Sequence, residues 1–270
     1  MKAIDLSENN GVFDLGILKQ NGINDVILRL CWIGNKNNHT KDKLVDEYYR
    51  QAKQLNMNIS FYVYSYCQTL ESIKSGIMYI DNLLNELNIP KNTTIYLDLE
   101  DEQIKYLSKD SLTYQAEYFC GYYLLSGYKS GIYANKYWFT NKLLIERILN
   151  YKIWLAEWGV QKPTVNFRVD LWQFTDCYEI NNKLFDCSEI MTEYKPNTDE
   201  GEFEVKDYIN GSTTEYVYQD AQCTKQIGYL HPRESAKCYG VVNNRALIVY
   251  KVDGTQNYKS GFCKWLGGIK

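Results

Sequence analysis

The chain has 270 residues, a formal net charge of −3 and a pI near 5.6, a balance that argues against nucleic acid or an anionic membrane surface as the main partner. With His39 and His231 as its two histidines, it has almost no material for a histidine-dependent triad or a zinc hydrolase. No apolar run approaches the roughly 18 residues of a membrane span, and Met1-Lys2-Ala3-Ile4-Asp5 reaches a carboxylate too soon for the apolar core of an export signal, so synthesis in a cytosol without a signal peptide is expected.

Short β-rich apolar runs then alternate with helical patterns. Lys2–Leu6 predicts a strand that ends near Asp5, followed by a short helix around Phe13–Gln20. Val26–Trp32 predicts a second strand, and Lys41–Leu55 a helix on the recurrence of Leu44, Val45, Tyr48, Ala52 and Leu55. Ile59–Tyr66 predicts a third strand with Tyr62, Tyr64 and Tyr66 on one face, and Leu70–Leu87 a helix stopped near Pro90. A strand over 94–100, a helix over Ser111–Leu125 closed by Gly127, a strand at Gly131–Ala134 and a helix at Lys136–Leu149 come next. Strands at Ile153–Trp158 and Leu171–Phe174 complete the series. Such alternation means a parallel α/β sheet, and the strand count favours a closed, irregular (β/α) barrel over an open sheet.

The fourth strand carries the densest chemistry. Thr94-Ile95-Tyr96-Leu97-Asp98-Leu99-Glu100 ends in two carboxylates one residue apart. Alternation puts Asp98 and Glu100 on one face with Tyr96 behind them, their Cα atoms roughly 6.6–6.8 Å apart at about 3.3–3.4 Å rise per residue. Carboxylates that close at an apolar rim push one another's pKa values apart, so that one stays ionised while the other holds a proton near neutral pH. That is the equipment of an acid/base hydrolase, with glycosidic bonds its commonest substrate. A lone D-x-E pair is more often a solvated strand end. The other strand ends distinguish this one: Asp5 on the first, Trp32 on the second, Tyr62 and Tyr64 on the third, Tyr133 on the fifth and Trp154 on the sixth. Trp172 and Gln173 lie on the seventh, with Asp186 after it. Barrels collect their reactive groups at the C-terminal ends of strands, so four carboxylates and a ring of aromatic residues are expected on one rim.

Around Met191–Phe203 the pattern breaks into a polar, acidic stretch with Pro196 and Gly201, which reads as a linker over 191–203 between units at 1–190 and 204–270. Beyond it, Glu215–Tyr218, Gln226–Leu230, Ala236–Val242, Ala246–Tyr250 and Ser260–Trp265 predict short strands, with turns near Asn243-Asn244 and Asp253-Gly254. This predicts a small all-β barrel. Its net charge of +2, from 9 basic and 7 acidic residues over 201–270, suits a polyanionic or polysaccharide surface slightly better than the −5 of residues 1–200. The eight cysteines lack the C-x2-C pairs of a zinc site and read as reduced, mostly buried small hydrophobes.

Taken in order, Ala3-Ile4-Asp5-Leu6-Ser7, Ser60-Phe61-Tyr62-Val63-Tyr64, Ile95–Glu100, Gly131-Ile132-Tyr133, Ile153-Trp154-Leu155-Ala156-Glu157, Leu171-Trp172-Gln173-Phe174 and Phe185-Asp186 resemble family 25 glycoside hydrolases, muramidases that include many phage lysozymes. The resemblance covers roughly residues 2–190. The C-terminal part, through Gly228-Tyr229-Leu230 and Lys259-Ser260-Gly261-Phe262, is similar to the SH3-like cell-wall-binding modules of clostridial phage endolysins. These resemblances imply cleavage of the β-1,4 bond between N-acetylmuramic acid and N-acetylglucosamine in peptidoglycan, with no cofactor or metal. They imply a protein acting on the wall from the host cytoplasm once the membrane is permeabilised, with wall polysaccharide as a second partner. Glu100 matches the family's proton donor and Asp98 the carboxylate that assists the substrate's acetamido group. Asp5 and Asp186 match the remaining acidic positions, although Cys187 and Ser188 depart from the usual motif after Asp186. Trp32, Tyr62, Tyr64, Tyr133 and Trp154, with Trp172 and Gln173, are the implied sugar-binding residues.

Three other readings stay open on the sequence. A non-catalytic glycan-binding barrel predicts loss of an essential carboxylate, against which Asp98 and Glu100 both stand. A chitinase of another barrel family calls for a longer acidic run on the fourth strand, and a divalent-metal site for phosphoryl transfer calls for Arg or Lys on the strand ends. The oligomeric state is open, with the C-terminal unit a candidate assembly surface.

Overall fold

The apolar runs of the first two-thirds of the chain pair edge to edge until the last meets the first. In the computed structural model, which describes residues 1–34, 38–191, 205–219, 223–242, 245–254 and 258–270, the chain divides into two units, Met1–Asn197 and Thr198–Lys270. The first contains strands β1 (Lys2–Leu6), β2 (Asp25–Ile33), β3 (His39–Lys41), β4 (Asn58–Ser65), β5 (Thr94–Asp98), β6 (Lys129–Asn135), β7 (Lys152–Ala156), β8 (Leu171–Ile180) and β9 (Lys183–Ile190). They are ordered β1-β9-β8-β7-β6-β5-β4-β2-β3, and an additional β1–β2 pairing closes an eight-stranded barrel with β3 appended outside β2. The pairs from β1–β2 through β7–β8 are parallel, while β9 runs antiparallel to both its neighbours. The predicted α/β barrel is thus present, irregular because its last strand is reversed.

Helices α1 (Leu15–Gln20), α2 (Val45–Gln54), α3 (Leu70–Glu86), α4 (Lys109–Leu125), α5 (Lys136–Asn141) and α6 (Ile145–Ile148) follow the strands. Local caps start several of them. Thr69 and Ser72 form a reciprocal capping box at α3, and Asp14, Ser108 and Asn135 each accept a backbone N–H at the start of their helices. Alternation along the strands divides the core in two. Ile4, Leu28, Phe61, Ile95, Leu97, Ile132, Ile153 and Leu155 face the helices, while Ala3, Ile27, Tyr96, Tyr133, Trp154 and Leu171 fill the barrel interior.

Several boundaries differ from the sequence reading for identifiable reasons. The helix predicted from Lys41 begins at Val45, because residues 39–41 pair with β2 and the Asp42 carboxylate takes the Leu44 N–H. The helix predicted over Lys136–Leu149 is two short helices, and the Leu144 N–H between them donates to Thr113 Oγ1 on α4. The run ending at Phe174 continues to Ile180 and turns back through Asn181-Asn182, whose φ values of 50° and 61° suit a tight hairpin. The returning strand β9 carries Asp186, which sequence reading placed after the last strand.

The second unit holds β10 (Lys206–Ile209), β11 (Glu215–Tyr218), β12 (Gln226–Leu230), β13 (Ser235–Val242), β14 (Arg245–Lys251) and β15 (Tyr258–Cys263) in one antiparallel sheet ordered β10-β13-β14-β15-β11-β12. Tyr208, Val217, Leu230, Cys238, Ile248, Tyr250 and Cys263 form its core. Sequence reading missed β10, whose Lys206-Asp207-Tyr208-Ile209 buries only Tyr208. Apart from Met191 the predicted linker, like the turn at Asn243-Asn244, lies outside the described residues. Cys31, Cys67, Cys120, Cys187, Cys238 and Cys263 are buried, and Cys177 is exposed.

Candidate active site

Barrel alternation aims one residue in two along each strand at the interior. Asp5 on β1, Asp98 at the end of β5 and Asp186 on β9 are brought together with Glu100, which lies two residues beyond β5 rather than on it. The chain stays close to the barrel there, because the Leu99 N–H donates to the Tyr133 carbonyl at 3.0 Å. Gly131 makes room beneath: a Cβ there would lie 2.5 Å from the Lys152 carbonyl oxygen and 2.7 Å from the Tyr96 ring.

The carboxylates share a dry, mutually repelling environment. Burial pushes Glu100 up to about 7, with Asp186 and Asp101 adding to the effect and a hydrogen bond with Tyr133 opposing it. Burial, then the charges of Glu100 and Asp5, hold Asp98 well above the usual carboxylate range, against the pull of Arg29. Asp98 is 3% exposed, and its Oδ1 has no hydrogen-bond partner among the described residues. Asp5 is raised by burial and by Asp186, with which it shares a side-chain hydrogen bond, while Gln173 Nε2 donates to Asp5 Oδ2 at 3.0 Å. Burial raises Asp186 too. Burial and mutual repulsion raise both groups, so Asp98 and Glu100 share a proton near neutral pH as a coupled pair, and an acid beside a carboxylate with an open acceptor is the arrangement a glycosidase needs.

The predicted aromatic residues separate into three groups. Trp154 lies at the centre of the barrel, 1% exposed, with the Tyr133, Tyr96 and Tyr62 rings edge-on at 4.5, 5.3 and 6.0 Å and its Nε1–H donating to Ser188 Oγ at 2.9 Å. It is a floor beneath the carboxylates. Trp32, Tyr62 and Tyr64 are half-buried on the mouth side of β2 and β4. The Tyr64 hydroxyl donates to Asp101 at 3.1 Å. Trp172 does not join the site: it faces the outer core, packs against Phe174, and its Nε1–H donates to the Glu157 carbonyl at 2.8 Å. Its neighbour Gln173 points inward, as alternation requires, and its Oε1 accepts from Tyr133 at 3.1 Å and from Trp158 at 3.2 Å.

Three contributors escaped the sequence reading. Trp158, half exposed beyond β7, reaches Gln173. Asp101 holds Tyr64. Arg29 sits on the interior face of β2, bonded through Nε to the buried Asp42 at 2.8 Å. An arginine inside a strand of otherwise apolar residues was the available signal for the last of these.

A family model for glycosyl hydrolases family 25 matches residues 4–183. An autolytic lysozyme of Clostridium acetobutylicum is 22% identical over 181 residues, which is 67% of this chain and 52% of that protein, so the chain spans about half the length of this curated relative. Among solved structures, the spore cortex lytic enzyme SleM of Clostridium perfringens is similar with a TM-score of 0.60 and 14% identity, covering 97% of this chain and 96% of that one. The CTP1L endolysin gives 0.57 and 22%, covering 72% and 67%. The modular autolysin LytC of Streptococcus pneumoniae, solved in complex with a synthetic peptidoglycan ligand, gives 0.60 and 20%, covering 69% and 46%. At these identities the likeness to solved structures speaks for the fold, and the match across two-thirds of the sequence for the ancestry: the chain belongs to glycosyl hydrolase family 25.

Proposed function

We propose that the protein is a lysozyme that hydrolyses the β-1,4 bond between N-acetylmuramic acid and N-acetylglucosamine in peptidoglycan. The observation that carries this reading is the pairing of Glu100, held protonated to about pH 7, with Asp98, whose Oδ1 is buried and unpartnered. Glu100 gives its proton to the glycosidic oxygen as the bond to the anomeric carbon breaks. Asp98 accepts the N–H of the substrate's 2-acetamido group, so that the amide oxygen bonds to that carbon as the leaving sugar departs. Water then opens the resulting ring, losing its proton to Glu100 and restoring the acid. Asp5 and Asp186 share a proton across their hydrogen bond and flank the developing positive charge. Trp32, Tyr62 and Tyr64 offer ring faces to the sugars at the mouth.

The likeness to clostridial lytic enzymes and to an endolysin supports a phage endolysin, acting from the host cytoplasm after the membrane is permeabilised. The separate all-β unit, with its SH3-like sequence and net positive charge, then serves as the wall-binding module. Mass analysis of fragments released from purified peptidoglycan tests the reaction. New reducing muramic ends are expected; reducing glucosamine ends, freed peptides or no fragments would each overturn it.

A further inference from the structure

A bulge in β2 sets up an electrostatic device behind the acid pair. Pairing between β2 and β4 matches Arg29 with Tyr62 and Cys31 with Val63, which leaves Leu30 over, and the Leu30 carbonyl accepts the Asp42 N–H at 3.1 Å. Asp42 is 1% exposed, and its carboxylate accepts from three donors: Arg29 Nε at 2.8 Å, the Glu8 N–H at 3.0 Å and the Leu44 N–H at 2.9 Å. The bulge keeps Arg29 on the interior face and brings Trp32 round to it, the guanidinium lying 5.1 Å from the ring centroid. Arg29 is thus fixed from one side by a carboxylate and capped on another by an indole.

Around Asp98 the charges that weigh most are Glu100 and Asp101 from the following loop and Asp5 from β1, all acidic, opposed by Arg29 from β2, whose cap Trp32 pairs in register with Tyr64 on β4, itself paired with Asp98. The tyrosines that also face Asp98, Tyr62, Tyr64 and Tyr66 on the β4 side and Tyr133 from β6, are raised by burial and stay neutral. Two interacting carboxylates lose their protons as a pair. At the stage with one proton left, the productive arrangement has it on Glu100, and the opposite arrangement is inert.

We propose that Arg29 is a positioning residue that decides this allocation: locked by Asp42 and Trp32, its charge faces Asp98 and favours the anion there, leaving the proton on Glu100. This rests on the muramidase reading and adds a residue that touches neither substrate nor the reacting atoms. Arg29 bears on Asp98, so its removal is expected to move the limb of the pH profile that Asp98 sets.

The test measures reducing ends released from purified peptidoglycan across pH by the full-length protein and three variants. Arg29→Met is expected to move the acid limb of kcat/KM alkaline by about one pH unit, with the alkaline limb unmoved, and Arg29→Lys to restore the wild-type position. Asp42→Asn, which removes the counter-charge of Arg29, is expected to shift the acid limb the other way, and it decides alone should Arg29→Met fail to fold. An Arg29→Met or Asp42→Asn profile that scales down uniformly with unmoved limbs, or an Arg29→Lys profile displaced as far as that of the methionine variant, overturns the proposal. Should the wild type release no reducing ends at any pH, the muramidase reading fails separately. Carbon-13 titration of labelled aspartates in the same variants then decides the inference by the same signs.

Discussion

Glutamine at position 100 keeps the shape of the glutamate and cannot deliver a proton. Glu100→Gln is expected to lower release of reducing ends by about 10²–10⁴-fold, with circular dichroism and wall binding unchanged; turnover above a few per cent would remove Glu100 from the acid's role. The same substitution has a thermodynamic signature. Burial raises Glu100 from 4.5 to about 7 in the folded protein, so between those values the native state holds a proton that the unfolded chain has released. Stability from this group is therefore greatest at the acid end of that window and falls as pH rises through it. Glu100→Gln is expected to melt above the wild type at pH 8 by the order of 1–3 kcal/mol, with the difference vanishing near pH 4. Asp98→Asn is the second most damaging change expected. An alkaline limb unchanged in that variant would show that the two carboxylates do not titrate together. At this scale the sequence was informative wherever side-chain alternation applied: Asp5, Asp98, Tyr133, Trp154 and Gln173 all face inward as a period of two requires. Trp172 failed the same rule, since it cannot share a face with Gln173. Arg29 stands out as an arginine within an apolar strand, but its contact with Asp42 was not legible, because it accompanies a bulge that no local pattern announces.

Elements carry the site through close packing. Gly131 on β6 has the Lys152 carbonyl and the Tyr96 ring where a side chain would begin. Gly131→Val is expected to cost about 1–3 kcal/mol by overpacking, read as a lowered melting temperature of the first unit, and to disturb Tyr133 two residues along. Behind the sheet, Arg147 on α6 bonds through Nε to Glu117 on α4 at 2.9 Å, both side chains buried. Arg147→Met leaves the Glu117 charge unpaired and is expected to cost about 3–5 kcal/mol, whereas Arg147→Met with Glu117→Gln recovers much of that; additive losses in the double variant would deny the coupling. The parallel strands and long helices were legible because their apolar spacing is regular over many residues. Strand β9 was not. Its Lys183, Asp186, Ser188 and Glu189 dilute the apolar pattern, the exposed Leu184 blurs the alternation, and the Asn181-Asn182 turn is the one local signal of it. The break between α5 and α6 is made by Thr113, distant in sequence, which takes the Leu144 N–H.

The two units have separate cores, so each is expected to fold when expressed alone. Residues 1–190 should release reducing ends from soluble glycan chains, and residues 205–270 should sediment with host walls without cleaving them. On intact walls the isolated first unit should be slower, because tethering raises effective concentration at an insoluble substrate. A C-terminal fragment that folds yet leaves walls untouched would turn that unit from targeting to assembly. The barrel's closure has a consequence for synthesis. β1 is made first and β9 last, and β1 lies between β9 and β2. Asp5 and Asp186 therefore meet only after nearly the whole unit has left the ribosome. Until then β1 and β8 lack their β9 partner, and the nascent sheet has open edges that invite mispairing. The acid cluster is complete only once β9 has paired with β1 and β8, so a chain released before β9 is made holds the Asp98–Glu100 pair without the enclosure that sets its protonation.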